Sequence, residues 1–268
     1  MIADGKESIE GSYENFLKTS GYSPVTIHLY IIYYNLFAKW KEDISQEEVD
    51  KFCRLHNNVV ARAFLKSCLH DWSGLYNLRI KRRRGREKKR LVQWITKKDY
   101  LNLIKDEEIR PELVVLIRIL FDTGLRIVEV VGDSFHKALT PSQIDFETNE
   151  IRGIGKFNKE YIVYLRPNTA IAIQKMIEHH EIKPNEPLFS FQTRYAQIMI
   201  KKEGLRILGK NIHAHMFRHG LATYLLQKGL SMPEIQLIMR HESLKTLGRY
   251  THINREDAKN NLKEMAGY

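Results

Sequence analysis

His215-Met-Phe-Arg218-His219-Gly-Leu-Ala-Thr223 opens the stretch that decides how this chain is read; it continues through Ile238-Met-Arg-His241 and closes on Arg249-Tyr250-Thr251-His252. His215 and Arg218 are three residues apart, so on a helix they share one face and address the same ligand. The ligand that suits a guanidinium fork beside an imidazole is a phosphate, whose oxygens accept two parallel charge-assisted hydrogen bonds. Tyr250, nine residues beyond His241, is the candidate nucleophile.

Working outward, the chain has 268 residues, a length that suits two ordinary domains. A helical domain is expected over 1–78, a basic linker over 79–93 and a second domain over 94–268. Hydrophobic residues make up 43% of the chain, enough for sizeable cores. No apolar run approaches the roughly 20 residues that a membrane span needs. The first residues, Met-Ile-Ala-Asp-Gly-Lys-Glu, lack the charged-then-apolar pattern of a leader, so a cytoplasmic protein without a membrane partner is expected. Cys53 and Cys68 read as buried thiols rather than a disulfide. No His, Cys or carboxylate spacing fits a metal site, and no cofactor is expected.

The net charge is +11, which points to a polyanionic partner. Arg79-Ile-Lys-Arg-Arg-Arg-Gly-Arg-Glu-Lys-Lys-Arg90 alone contributes +8, leaving only +3 for the rest. Such runs are often solvated linkers. Lying between two folded-looking regions, this one reads as a strap across a nucleic-acid backbone, with Lys81, Arg82, Arg83, Arg84, Arg86, Lys88, Lys89 and Arg90 as the DNA contacts.

Local patterns supply the elements. Ser23-Pro24 starts a helix whose stripe is Ile27, Tyr30, Ile31, Tyr34, Phe37, Ala38 and Trp40, and Ser45-Gln-Glu-Glu48 has capping-box spacing. A helical run from Val59 to Leu75 sets Phe64, Cys68, Trp72 and Leu75 on one side. Thr96-Lys-Lys-Asp99 starts another helix, and Leu113, Leu116, Ile117, Leu120 and Phe121 form a further stripe, broken at Gly124. Residues 150–165 read as a β-hairpin with Lys156 near its tip. Helices follow over Asn168–His180 and around Arg194–Lys202, the latter stopped by Gly204; the His215 helix ends at Gly229, and Ser231-Met-Pro-Glu234 caps the next. From Asn254 a terminal helix carries the thin stripe Ala258, Leu262, Met265, a narrow apolar face to be covered by its own domain or by a neighbouring subunit.

Taken in order, Gly-Leu-Arg126-x-x-Glu129, Gly-Lys156-x-Asn-Lys-Glu, His215-x-x-Arg218-His219, His241 and Tyr250-Thr-His resemble the tyrosine recombinase family of Xer-type integrases. Each piece is common; five in that order are specific, and Ser23-x-x-Thr26-x-x-x-Tyr30 with Phe37 and Trp40 looks like the family's core-binding domain. The resemblance implies a mainly α fold with a small β-hairpin or sheet, a helical core-binding domain and a tyrosine-recombinase catalytic domain. It implies a site-specific recombinase that clamps double-stranded DNA and self-associates on it as a tetramer of two dimers, exchanging strands through a Holliday junction. Tyr250 attacks the phosphodiester, His215 serves as base, and Arg126 and Arg218 stabilise the charge that builds on the phosphate oxygens. His241 donates a further hydrogen bond, Lys156 protonates the departing 5′-oxygen, and Glu129 orients Arg126. Lys159 is a second choice for the acid. His219 is read as facing another side of the helix, in a structural role. Three departures stand out: an insertion-like stretch from Gly132 to Pro141, Gly220 where the family commonly has Ser or Thr, and Arg240 where it has Gly. The first has no assigned role; the second reads as a hydroxyl lost from the phosphate-facing helix and the third as charge added beside the site. Two rival readings are a type IB topoisomerase, which shares the chemistry, and a DNA-binding regulator that has lost it.

Overall fold

The computed structural model describes residues 3–38, 44–81, 93–154 and 160–240. The chain divides into two compact units, Met1–Lys89 and Arg90–Tyr268. Among the described residues no helix is long and apolar enough to cross a membrane.

The first unit is helical: α1 (Ala3–Thr19), α2 (Pro24–Ala38), α3 (Gln46–Leu55) and α4 (Val59–Leu65). Both hydrogen bonds of the Ser45–Glu48 capping box are made, which fixes where α3 begins. The stripe of α2 turns Tyr30 and Phe37 into the core, with Ile27, Ile31 and Tyr34 packed at its edge; Trp40 lies outside the described residues. Tyr13 of α1 is fully buried, its hydroxyl donating to Ser67 at 3.2 Å and its ring 5.0 Å from that of Trp72. The single run expected from Val59 to Leu75 is a composite. Beyond α4 the chain continues as π-helical turns over Lys66–Trp72, closed by a Ser73 N–H to Cys68 carbonyl bond of 3.1 Å, and the helix stops at Trp72. The wider turn places Cys68 and Leu69 in the core while Trp72 reaches Tyr13 and Tyr34. Cys53 and Cys68 are both buried and unpaired, and burial pushes the Cys68 thiol up to about 12. The chain beyond this core is held by Gln46, whose amide accepts from the Arg79 N–H at 2.7 Å and donates to the Arg79 carbonyl at 2.8 Å. Arg62 donates to the Lys81 carbonyl at 3.0 Å.

The second unit is built round α6 (Pro111–Thr123). The pattern gives this helix one apolar stripe; it is buried on more sides than that, Val115, Ile119 and Thr123 joining the stripe residues in the interior. It packs on α5 (Lys97–Lys105), α8 (Pro167–His179), α9 (Thr193–Leu208) and α10 (Ala214–Gln227), and α10 carries α11 (Met232–Ile238). Thr96–Asp99 and Ser231–Glu234 make complete capping boxes at the starts of α5 and α11. The hairpin strands β2 (Glu150–Ile154) and β3 (Glu160–Tyr164) are joined by a two-residue strand not foreseen, β1 (Ile144–Asp145), giving an antiparallel sheet in the order β1-β2-β3. Two residues carry no alternation to read. Gly204 does not stop α9: the helix runs to Leu208 and ends on Gly209 in the left-handed conformation, φ 62°. Gly204 is there because a Cβ would sit 2.1 Å from the Ile212 side chain. The Gly132–Pro141 stretch is an ordered loop, with Asp133 accepting from the amides of Phe135 and His136, each at 2.8 Å. The terminal stripe of Ala258, Leu262 and Met265 lies outside the described residues.

Candidate active site

The site forms where α6 ends, α7 (Ile127–Val131) begins and α10 packs against α6. Gly124 closes α6 with φ 63°, and a Cβ there would lie 2.9 Å from Met239 and 3.1 Å from Leu221, so both the turn and the packing call for glycine. Arg126 follows at the N-cap of α7, and Glu129 one turn on reaches back to it. One Glu129 oxygen accepts from the Arg126 amide at 2.7 Å, the other from its guanidinium at 3.0 Å. Burial pushes the Glu129 carboxyl up, but Arg240, the Arg126 amide and the Arg126 guanidinium outweigh it and hold the group below the usual carboxylate range. The Arg126 side chain remains 39% exposed.

Arg218 on α10 is 4% exposed. Its Nη1 donates to the Gly124 carbonyl and its Nη2 to the Met239 carbonyl. One buried guanidinium thus joins the turn that leads into Arg126 to the turn that leads into Arg240. Arg240 returns the link, donating to Glu129 at 3.1 Å.

The three-residue spacing set His215 and Arg218 on one face; His215 is instead on the exposed side of α10 and Arg218 on the buried side. His219 is on another side of α10 from Arg218, as the sequence reading has it, and its ring lies 6.0 Å from that of His215, edge to face. Four residues is about one helical turn, so His219 belongs to the His215 face. The reading of Gly220 is corrected too. A Cβ on Gly220 would stand 2.3 Å from the Ile95 carbonyl oxygen and 3.1 Å from the Phe121 ring. Glycine is therefore not a missing hydroxyl over the phosphate side; it lets the segment at Ile95, whose amide donates to the Met216 carbonyl at 3.1 Å, lie against α10. Gly220→Ser is expected to lower stability by about 1–3 kcal/mol through overpacking, read as a lowered denaturant midpoint at unchanged slope; an unchanged midpoint would mean that the Ile95 segment shifts freely.

Lys156, Lys159, His241 and Tyr250 lie outside the described residues, as do Arg82, Arg83, Arg84, Arg86, Lys88, Lys89 and Arg90. Of the proposed DNA contacts Lys81 is described, and it pairs with Asp50. Sequence reasoning passed over Tyr161 on β3, whose ring carries the Arg240 guanidinium 4.0 Å from its centroid. No local signal marks it, since the partner is distant in sequence.

A family model described as the phage integrase family matches residues 93–257. That is more than half of the chain, and the chain belongs to this family. A tyrosine recombinase XerC of Chlamydia caviae is 31% identical over 150 residues, which cover 52% of this chain and 46% of that protein. Tyrosine recombinase XerA of Saccharolobus solfataricus is 30% identical over 154 residues, 57% and 50% of the two chains. The chain spans about half the length of these curated relatives. Among solved structures, XerH bound to palindromic difH substrate in a post-cleavage complex aligns with TM-score 0.61 at 20% identity, over 90% of this chain and 79% of that one. The Tn1549 transposon integrase in complex with transposon right end DNA aligns with TM-score 0.61 at 16% identity, over 96% and 99%. These two share the fold.

Proposed function

We propose that this chain is a site-specific DNA recombinase that cuts and rejoins duplex DNA through a 3′-phosphotyrosyl intermediate at Tyr250. The Tyr250 oxygen bonds to phosphorus, the 5′-oxygen leaves, and the bond energy is kept in the ester until a 5′-hydroxyl of another strand reseals it. The observation that supports this most directly is the bracing of Arg126 by Glu129 next to the turn that Arg218 holds. Guanidinium groups fixed before the reaction stabilise the five-coordinate phosphate more than the substrate, with no reorganisation during the step. A guanidinium has five N–H donors, so Arg218 serves as brace and as phosphate ligand. His215 takes the tyrosine proton, His241 donates to the phosphate, and Lys156 protonates the 5′-oxygen. The enzyme works in the cytoplasm as a tetramer of two dimers on DNA, with residues 79–93 as a strap between domains 1–78 and 94–268. The topoisomerase and silent-regulator readings have no observation in their favour.

Incubation of the purified protein with fragmented DNA in EDTA is expected to give detergent-stable protein–DNA adducts, because the arginines supply the positive charge at phosphorus; sequencing the trapped ends gives the site. Adducts that form only after Mg²⁺ is added would sink the mechanism. Neutralising the strap, if half of its basic side chains touch phosphates, should reduce the slope of log K against log salt by roughly 0.9 per contact, on the order of four in all. Sequence preference should hold. An unchanged slope returns the strap to a solvated linker.

A further inference from the structure

Arg240 stands out on three independent observations. Its backbone is left-handed, φ 53°, in a region that residues other than glycine rarely enter. Such a conformation persists where the surroundings over-determine it, and it is a reason to look for function. Its side chain is 19% exposed and ends on Glu129, 3.1 Å away, the carboxylate that also holds Arg126. Its Cζ lies over the Tyr161 ring, 4.0 Å from the centroid. That ring in turn covers Gly153, its cross-strand partner: a Cβ on Gly153 would be 2.5 Å from the tyrosine Cζ and Oη. Glycine in β2 thus lets the Tyr161 ring lie down over the sheet and become a platform for the guanidinium.

We propose that Arg240 is a positioning residue for Arg126. It fixes Glu129 from the sheet side, so that the carboxylate can hold the Arg126 guanidinium at one angle; the inference rests on the recombinase reading given above. Only arginine suits this place. Its guanidinium carbon sits over the ring while a terminal nitrogen donates to the carboxylate, a combination that the compact ammonium of lysine does not reproduce. The Arg240 donor that the structure places is directed at Glu129.

Arg240→Gly is the informative variant, because glycine accepts the left-handed backbone and the loss falls on the side chain alone. Single-turnover cleavage is expected to slow about 10- to 100-fold, as a small misplacement of a catalytic group does, with DNA affinity within about twofold of the parent. On a substrate whose scissile phosphate carries a methyl in place of one charged oxygen, the deficit should shrink, since Arg126 then has less charge to stabilise. Arg240→Lys should recover only part of the rate, and Arg240→Gly combined with Glu129→Gln should be no slower than Glu129→Gln alone. An unchanged rate, an equal deficit on both substrates, or a loss of DNA affinity would overturn the assignment, the last by making Arg240 a phosphate contact. A readout free of the chemistry separates this from failure of the recombinase reading. The Glu129 carboxyl, followed by carbon NMR, should titrate at higher pH in Arg240→Gly than in the parent; no change overturns the proposal. If that shift is seen while the parent chain traps no adduct, the positioning contact stands and the recombinase reading falls.

Discussion

Tyr250→Phe is expected to bind its DNA site as the parent does and to form no covalent adduct. The substitution removes one oxygen and leaves the ring, so packing and charge are unchanged while the atom that attacks phosphorus is gone. Loss of a nucleophile that works with a set of partners costs on the order of 10⁴-fold or more in rate, which on a suicide substrate reads as a missing detergent-stable band. Binding measured by gel shift at the same salt should remain within about twofold, because affinity for DNA comes chiefly from backbone phosphate contacts. A residual adduct at more than a trace would assign the attack to another residue.

Arg218 carries the second large effect, and it divides between fold and chemistry. Replacement by Met keeps most of the apolar stem but leaves the Gly124 and Met239 carbonyls without these donors. Each buried acceptor so exposed costs about 1–3 kcal/mol, so the loss in unfolding free energy should be about 2–6 kcal/mol. That is a large share of the roughly 5–15 kcal/mol that holds an ordinary domain together. Urea unfolding followed by circular dichroism should show a midpoint well below the parent's. Arg218→Lys should lie between the two in stability, because a single ammonium does not span both carbonyls as a fork does. Cleavage by Arg218→Lys should still fall about 10²- to 10³-fold, as removal of one charge-stabilising donor does. If Arg218→Met unfolds at the parent midpoint, the two carbonyls have adequate partners elsewhere and the bracing role is lost.

What was legible in the sequence was legible for local reasons. Ser45, Thr96 and Ser231 each have their capping partner three residues on, and all three boxes form. The strands of the hairpin and the core side of α6 follow from short-range alternation and period. The failures at two glycines have the opposite cause. Gly204 and Gly220 read as a stop and as a missing hydroxyl, yet both are places where another segment presses on a helix, Ile212 in one case and Ile95 in the other. Nothing within a few residues announces either contact. His215 and Arg218 were set on one face by their spacing, yet the first is exposed and the second buried, and it is His219 that joins the His215 side. In the site, Arg126 and Glu129 were readable as a pair because they are one turn apart. The carbonyl that Arg218 holds is Gly124's, 94 residues away, and Glu129 meets Arg240 across 111. Side-chain type gave no hint of either, since arginine in a phosphate-binding motif is already accounted for.

The buried position of Arg218 also constrains how a descendant of this chain would lose its activity. A change at Tyr250 removes the reaction and leaves the core intact, so the protein continues to fold and to occupy DNA. A change at Arg218 strikes the interior where α6, α10 and α11 meet, and selection against misfolded chains removes it before any question of catalysis arises. Lineages drifting from enzyme toward regulator should therefore shed the tyrosine early and keep this arginine long after its phosphate is gone. An arginine retained in such a protein would testify to architecture, and counting it as a sign of surviving catalysis would mislead.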